Sequence, residues 1–212
     1  MARKKTKSRN ALRELTRRHI QESVVRAVTR VGVHGLTMDR VAEEARIAKG
    51  TIYLHFRTKE DLVRQTFYAC LAPMIDELVA ILDSDLPPDE RLRRFTRRHL
   101  SYFEDHRDLF RVLLHERSRS QIRTDRRRSS LYKKLVEKTA SVIEVGVQSR
   151  VFRDVDPVKL AGMMVDANIT VISHRLLEER PDASDADAAF LSGVFMEGIH
   201  RSPTHEKRGA SR

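Results

Sequence analysis

A chain of 212 residues with 40% hydrophobic and 33% charged positions has enough apolar material for a sizeable core and the charge of a soluble protein. Eight glycines, six prolines and few aromatics speak against a sheet of many short strands, and the single cysteine, Cys70, excludes an intrachain disulfide and a zinc site built on thiolates. The net charge of +11 is concentrated: residues 1–60 carry 15 Lys and Arg against 6 Asp and Glu, and the remainder 26 against 24. The first quarter is therefore the part suited to a polyanion, although charge alone also fits a solvated tail or an anionic membrane surface.

Residues 1–13 are polar and basic (Arg3, Lys4, Lys5, Lys7, Arg9, Arg13) and are expected to form a flexible tail. No apolar core long enough for a signal peptide follows, and no stretch approaches the roughly 18 apolar residues that span a bilayer. A cytoplasmic protein without membrane contact is expected. From Thr16 a helical period begins, with Ile20, Val24, Ala27, Val28 and Val31 spaced by threes and fours, and Gly32 and Gly35 stop it. Thr37 is a good N-cap for a short second helix, with Asp39 in its first turn and Met38, Val41, Ala42 and Ala45 as its apolar stripe. A third short helix starts near Lys49. Ile52 and Phe56, four apart, share its inner face and leave Lys49, Thr51, Tyr53, Leu54 and His55 largely outside.

Thr58 can cap a fourth helix, with Glu60 and Asp61 in its first turn, running to about Leu82 through Pro73. Pro87-Pro88 break the chain, and helices are predicted over about 89–103, 107–115 and 129–149. Leu109, Phe110, Leu113 and Leu114 face inward on the second of these. Asp156-Pro157 reads as an N-cap with proline at the first helical position, opening a helix to about Glu179, and Pro181 opens a last one to about Ile199. Residues 201–212 are expected to be a loose tail. There is no internal repeat and no glycine-rich phosphate loop. Three helices of which the last two are short and closely joined are the sequence form of a helix-turn-helix unit.

The stretch Gly35-Leu36-Thr37, with Val41, Ala42 and Ala45, and above all the run KGTIYLHFRTKEDL over 49–62, resembles the TetR family of transcriptional regulators. FRDVDP, at 152–157, is similar to a turn found in such proteins. The resemblance implies an all-α homodimer. Its N-terminal three-helix DNA-binding domain would cover 14–74, with the helix-turn-helix motif at 37–56. A larger helical domain over 75–200 would bind an unidentified small-molecule effector and hold the dimer. By position, the resemblance puts Thr37 and Met38 at the start of the helix that abuts the DNA backbone. Lys49, Gly50, Thr51 and Tyr53 would face bases or nearby sugar-phosphate, and Leu54, His55 and Lys59 phosphates or the groove wall.

Elementary chemistry agrees with these roles. Lysine donates to guanine acceptors, a threonine methyl meets a thymine methyl, and glycine permits close approach. Arg46 departs from the family pattern, standing in the turn where these proteins usually carry glycine, a position that generally needs a left-handed backbone. Candidates for the effector pocket are Phe67, Phe103, Phe110, Met163, Met164 and Asn168, which combine apolar bulk with an occasional polar group. Ordinary core packing is the competing reading for each. The run 117–128 is arginine-rich and suits a solvated loop or an acidic ligand such as a coenzyme A thioester.

Nothing points to catalysis, a metal or a cofactor. The nine histidines are scattered, and His99 and His106 are expected at the surface. The function expected is a sequence-specific transcriptional regulator, a dimeric repressor released from a palindromic double-stranded DNA operator by its effector. An architectural DNA-binding protein without ligand control is the alternative. A module that uses the helix-turn-helix only to pack on a protein partner fits poorly with so polar a third helix.

Overall fold

The computed structural model describes residues 2–32, 35–105, 107, 110, 126–177 and 184–200. The fold is all-α: α1 (Ala2–Val31), α2 (Met38–Ala45), α3 (Lys49–Tyr53), α4 (Lys59–Leu82), α5 (Pro88–Asp105), α6 (Arg126–Gln148), α7 (Pro157–Leu177) and α8 (Ser184–Ile199), with no strand among the described residues. Two compact units divide it. One takes Met1–Pro73 and His106–Asp125, of the latter of which only Arg107 and Phe110 are described; the other takes Met74–Asp105 and Arg126–Arg212.

In the first unit, Ile20, Val24, Ala27 and Val28 of α1 close a core with Leu36, Val41, Ile52, Phe56 and Leu62. Polar ties fix the helices around it. Arg26 and Arg30 both bond Glu44 across α1 and α2 (3.1 and 3.0 Å), a His19 ring nitrogen meets the Ala45 carbonyl at 2.9 Å, and the Gln21 amide donates to the Gln65 carbonyl at 3.1 Å. Gly32, at φ 67°, ends α1 in the left-handed conformation that glycine adopts without steric penalty.

In the second unit α5 packs chiefly on α8, and α6 on α7. Leu92, Phe95, Leu100, Ile143, Ala161 and Val165 are all buried. Asp156 caps α7, accepting from the Val158 and Lys159 N–H groups at 3.1 and 3.0 Å. Arg175 on α7 joins Glu104 of α5 (2.8 Å) and Asp187 of α8 (3.3 Å), so one nearly buried guanidinium ties three helices. Close approach requires glycine at 146: a Cβ there would stand 2.1 Å from the Phe152 ring, which folds back beneath α6.

Three expectations need correction. The basic N-terminus was expected to precede the first helix, but α1 is continuous from Ala2 and not from Thr16. Ala, Arg, Lys and Leu are strong helix formers and no glycine or proline interrupts them, so helix forms without an apolar stripe. Second, α4 is long and apolar enough to cross a membrane by length and composition. Its apolar residues instead build cores, with Leu62 and Val63 buried in the first unit and Met74, Ile75, Leu78 and Leu82 in the second. Third, His99 is buried, as described below. The helix expected over 107–115, the arginines at 117, 119 and 123, the start of the last helix at Pro181 and the tail 201–212 lie wholly or mostly outside the described residues.

Candidate nucleic-acid interface

Local chemistry sets α2 and α3 in place. The Thr37 hydroxyl accepts from the Arg40 N–H at 3.2 Å and caps α2. At the other end the Arg46 N–H donates to the Glu43 carbonyl (3.1 Å) and the Ile47 N–H to the Ala42 carbonyl (3.0 Å). This pair of bonds is a Schellman turn. It needs a left-handed residue after the helix, and Arg46 supplies it at φ 53°, ψ 43°. The arginine therefore occupies the glycine conformation that its sequence position suggested. After α3, the Thr58 hydroxyl accepts from the Asp61 N–H at 3.1 Å and Asp61 accepts from the Arg57 N–H at 3.2 Å, so α4 is capped from both directions.

The residues singled out in the sequence divide by exposure. Ile52 and Phe56 are fully buried, which turns the rest of α3 outward: Lys49 and Gly50 are exposed, Tyr53 is 50% and Leu54 73% exposed, and Thr51 and His55 are half-buried. Thr37 is exposed at the cap, and Lys59 is half-buried at the start of α4. Met38, by contrast, is buried in the core. It can offer a phosphate only its backbone N–H at the helix N-terminus.

Electrostatics refine this surface. The Lys49 ammonium donates to Asp39 at 2.9 Å, and this hydrogen bond together with the carboxylate charge raises its pKa. The pair is solvent-exposed and so weak enough to exchange for a base or phosphate. Burial, with the Arg13 and Arg17 charges, holds His55 below the ordinary imidazole value. The Arg17 guanidinium lies 5.3 Å from the Phe56 ring centre, and Arg13 donates to the Leu54 carbonyl at 3.4 Å, contacts that the sequence reading did not foresee.

The effector-pocket candidates divide between the two units. Phe67 and Phe110 belong to the first unit, with ring centres 6.0 Å apart. Phe103, Met163, Met164 and Asn168 belong to the second. Met164 and Asn168 are buried, while Met163 is 62% exposed. Asn168 faces His99 at 3.4 Å, and His99 also touches the Phe95 and Phe103 rings. His99 is therefore a core residue, and burial pushes its pKa down to about 4. The stripe Leu92, Phe95, Thr96, His99, Leu100, with its three-and-four spacing, was the signal that could have found it.

A capped helix pair that turns lysine, glycine, threonine and tyrosine outward over a closed core, on the basic part of the chain, defines a helix-turn-helix DNA-binding protein. The family described as "Bacterial regulatory proteins, tetR family" matches residues 25–66, and "Tetracyclin repressor-like, C-terminal domain" matches residues 85–173. The chain belongs to the TetR family and is a transcriptional regulator. Among its relatives is the "Uncharacterized HTH-type transcriptional regulator YhgD" of Bacillus subtilis (strain 168), 24% identical over 85% of this chain and 94% of the relative. The "Fatty acid metabolism regulator protein" of the same strain is 23% identical over the same shares. The solved structure of the transcriptional regulator FadR from Bacillus subtilis in complex with stearoyl-CoA is 18% identical, covers 86% of this chain and 98% of its own, and superposes with a TM-score of 0.69.

Proposed function

We propose that the protein is a homodimeric repressor that binds a pseudo-palindromic operator through α2 and α3 and is released by a small-molecule effector. The observation that carries the reading is the outward face of α3, with Lys49, Gly50, Thr51 and Tyr53 presented over the buried pair Ile52 and Phe56. Residues 14–74 act as the DNA-binding head, and 75–200 hold the effector and the partner subunit. A second copy is the natural cover for the apolar side chains that α7 and α8 leave in solvent, Val158, Met163, Phe190 and Val194, exposed by 54–68%. Symmetric heads then read two half-sites about one helical turn apart.

For the effector, the reading favours an amphiphile with a long apolar portion, and an acyl-coenzyme A thioester is the first candidate. It is the ligand in the FadR complex, and the relative from Bacillus subtilis strain 168 regulates fatty acid metabolism. Inside the second unit the His99–Asn168 pair, lined by Phe95 and Phe103, supplies a polar point in an apolar setting. An effector shifts the heads only by its differential affinity for the two arrangements.

The test is to select bound fragments from the source genome and titrate the complex with stearoyl-CoA. Release at micromolar ligand, with no release by free coenzyme A, supports the effector class. Stable complexes at all ligand concentrations reject it. Binding spread evenly over all fragments favours an architectural role without ligand control, since specific sites should exceed the background by about 10³ or more.

A further inference from the structure

The face of α1 that closes the first core does not end where the core ends. Ile20, Val24 and Ala27 lie on it, and continuing toward the N-terminus at helical spacing it carries Arg17, Arg13 and Arg9. Arg17 stacks over Phe56 and is half-buried; one turn further, Arg13 is exposed and reaches the carbonyl of Leu54, at the outer end of α3. Arg9 is exposed another turn on, about 6 Å beyond Arg13 along the axis. Residues 2–18 hold eight Lys and Arg against the single acid Glu14, so a polyanion is the partner this segment fits.

We infer that the N-terminal extension of α1 is a second DNA contact, in which Arg9 and Arg13 bind phosphates flanking the sequence that α3 reads. The inference rests on the DNA-binding reading of α3 and adds a site to it. Because the segment is helix, it cannot enter a minor groove. A helix with its side chains is about 10–12 Å across, and that groove is about 6 Å wide. The contact is therefore with the backbone alone and is indifferent to the flanking sequence. Glu14 lies off the stripe, a hundred degrees around the helix from Arg13, and does not neutralise it.

The test uses the 212-residue chain and a duplex that it enriches from a random-sequence pool. The duplex is made in two forms, trimmed to the recognised core and extended by about one helical turn on each side. Arg9→Ala, which keeps helix propensity, is expected to bind the extended duplex about three- to tenfold more weakly, with a salt slope shallower by about 0.9 per subunit. It should bind the trimmed duplex as the parent does. Arg9→Lys restores the charge and should recover the extended-duplex affinity, and scrambling the flanks should change nothing. Equal affinity of Arg9→Ala and parent for the extended duplex overturns the inference, as does equal weakening on both forms. The double variant Lys49→Ala, Tyr53→Ala serves as the separate control. If it binds the trimmed duplex unchanged, or if the parent enriches no duplex, the reading of α3 fails, and this site with it.

Discussion

Arg46→Gly tests the turn of the helix-turn-helix directly. Arg46 sits at φ 53° in a turn whose two closing hydrogen bonds both need the left-handed backbone. Holding an L-residue there costs about 1–2 kcal/mol from the clash between Cβ and the following carbonyl, and glycine escapes it. Glycine also loosens the unfolded chain, which returns about 0.4–1 kcal/mol to the other side. The net expectation is a gain of about 0.5–1 kcal/mol per head, or a Tm higher by about 1–4 °C in a chain of this size. Thermal melting and denaturant titration measure it, with Arg46→Val as the counterpart, since a β-branched residue tolerates the left-handed region worst. A Tm lowered by glycine, or unchanged by valine, would refute the left-handed assignment. The exposed guanidinium also stands at the junction of α2 and α3. If it holds a DNA phosphate, the same glycine variant binds DNA more weakly with a salt slope shallower by about one per subunit. An unaltered slope leaves the strain and removes the contact.

Other outcomes follow from the same geometry. Above pH 6.5 His99 is neutral whether folded or unfolded; between 6.5 and about 4 the unfolded chain takes up a proton that the buried ring refuses. Stability should therefore fall as pH falls through that window, by up to about 3 kcal/mol, and His99→Gln should flatten this part of the profile in urea titrations. An identical slope in both proteins would count against the burial argument. Phe190→Asp should raise the dimer dissociation constant by at least about a hundredfold in sedimentation, because it places a carboxylate in the face assigned to the partner. Unchanged sedimentation would move the interface elsewhere. Gly146→Ala should destabilise the fold by about 1–3 kcal/mol, since its methyl meets the Phe152 ring; a neutral melt would mean that the ring moves aside freely.

What the sequence revealed follows the range of the forces involved. The Thr37, Thr58 and Asp156 caps and the Ile52–Phe56 inner face rest on residues within four positions of each other. They could be read directly. The left-handed turn was legible because a family pattern calls for glycine where Arg46 stands. Residues 2–15 were misread because periodicity was the criterion, and a helix held by propensity alone has none. The burial of His99 was legible in the α5 stripe, but its pairing with Asn168, 69 residues away, and the tie of Arg175 to Glu104 and Asp187 on two other helices are specified by no local pattern. The pocket candidates suffer from the same gap: apolar bulk marks a core residue and a ligand contact alike, and Met163 turned out to be exposed where Met164 is buried.

The central claim is that the outward face of α3 reads DNA sequence, and one binding experiment addresses it. The 212-residue chain and its Lys49→Ala, Tyr53→Ala double variant are each passed over a random-sequence duplex pool, and the enriched sequence and its affinity are measured with helical circular dichroism as the folding control. The parent should enrich a two-fold symmetric sequence bound about 10³-fold or more above random DNA. The double variant, still folded, should lose about 10- to 100-fold or more of that preference. A parent that enriches nothing, or a folded double variant that enriches the same sequence with the same affinity, would mean that α3 does not read DNA sequence.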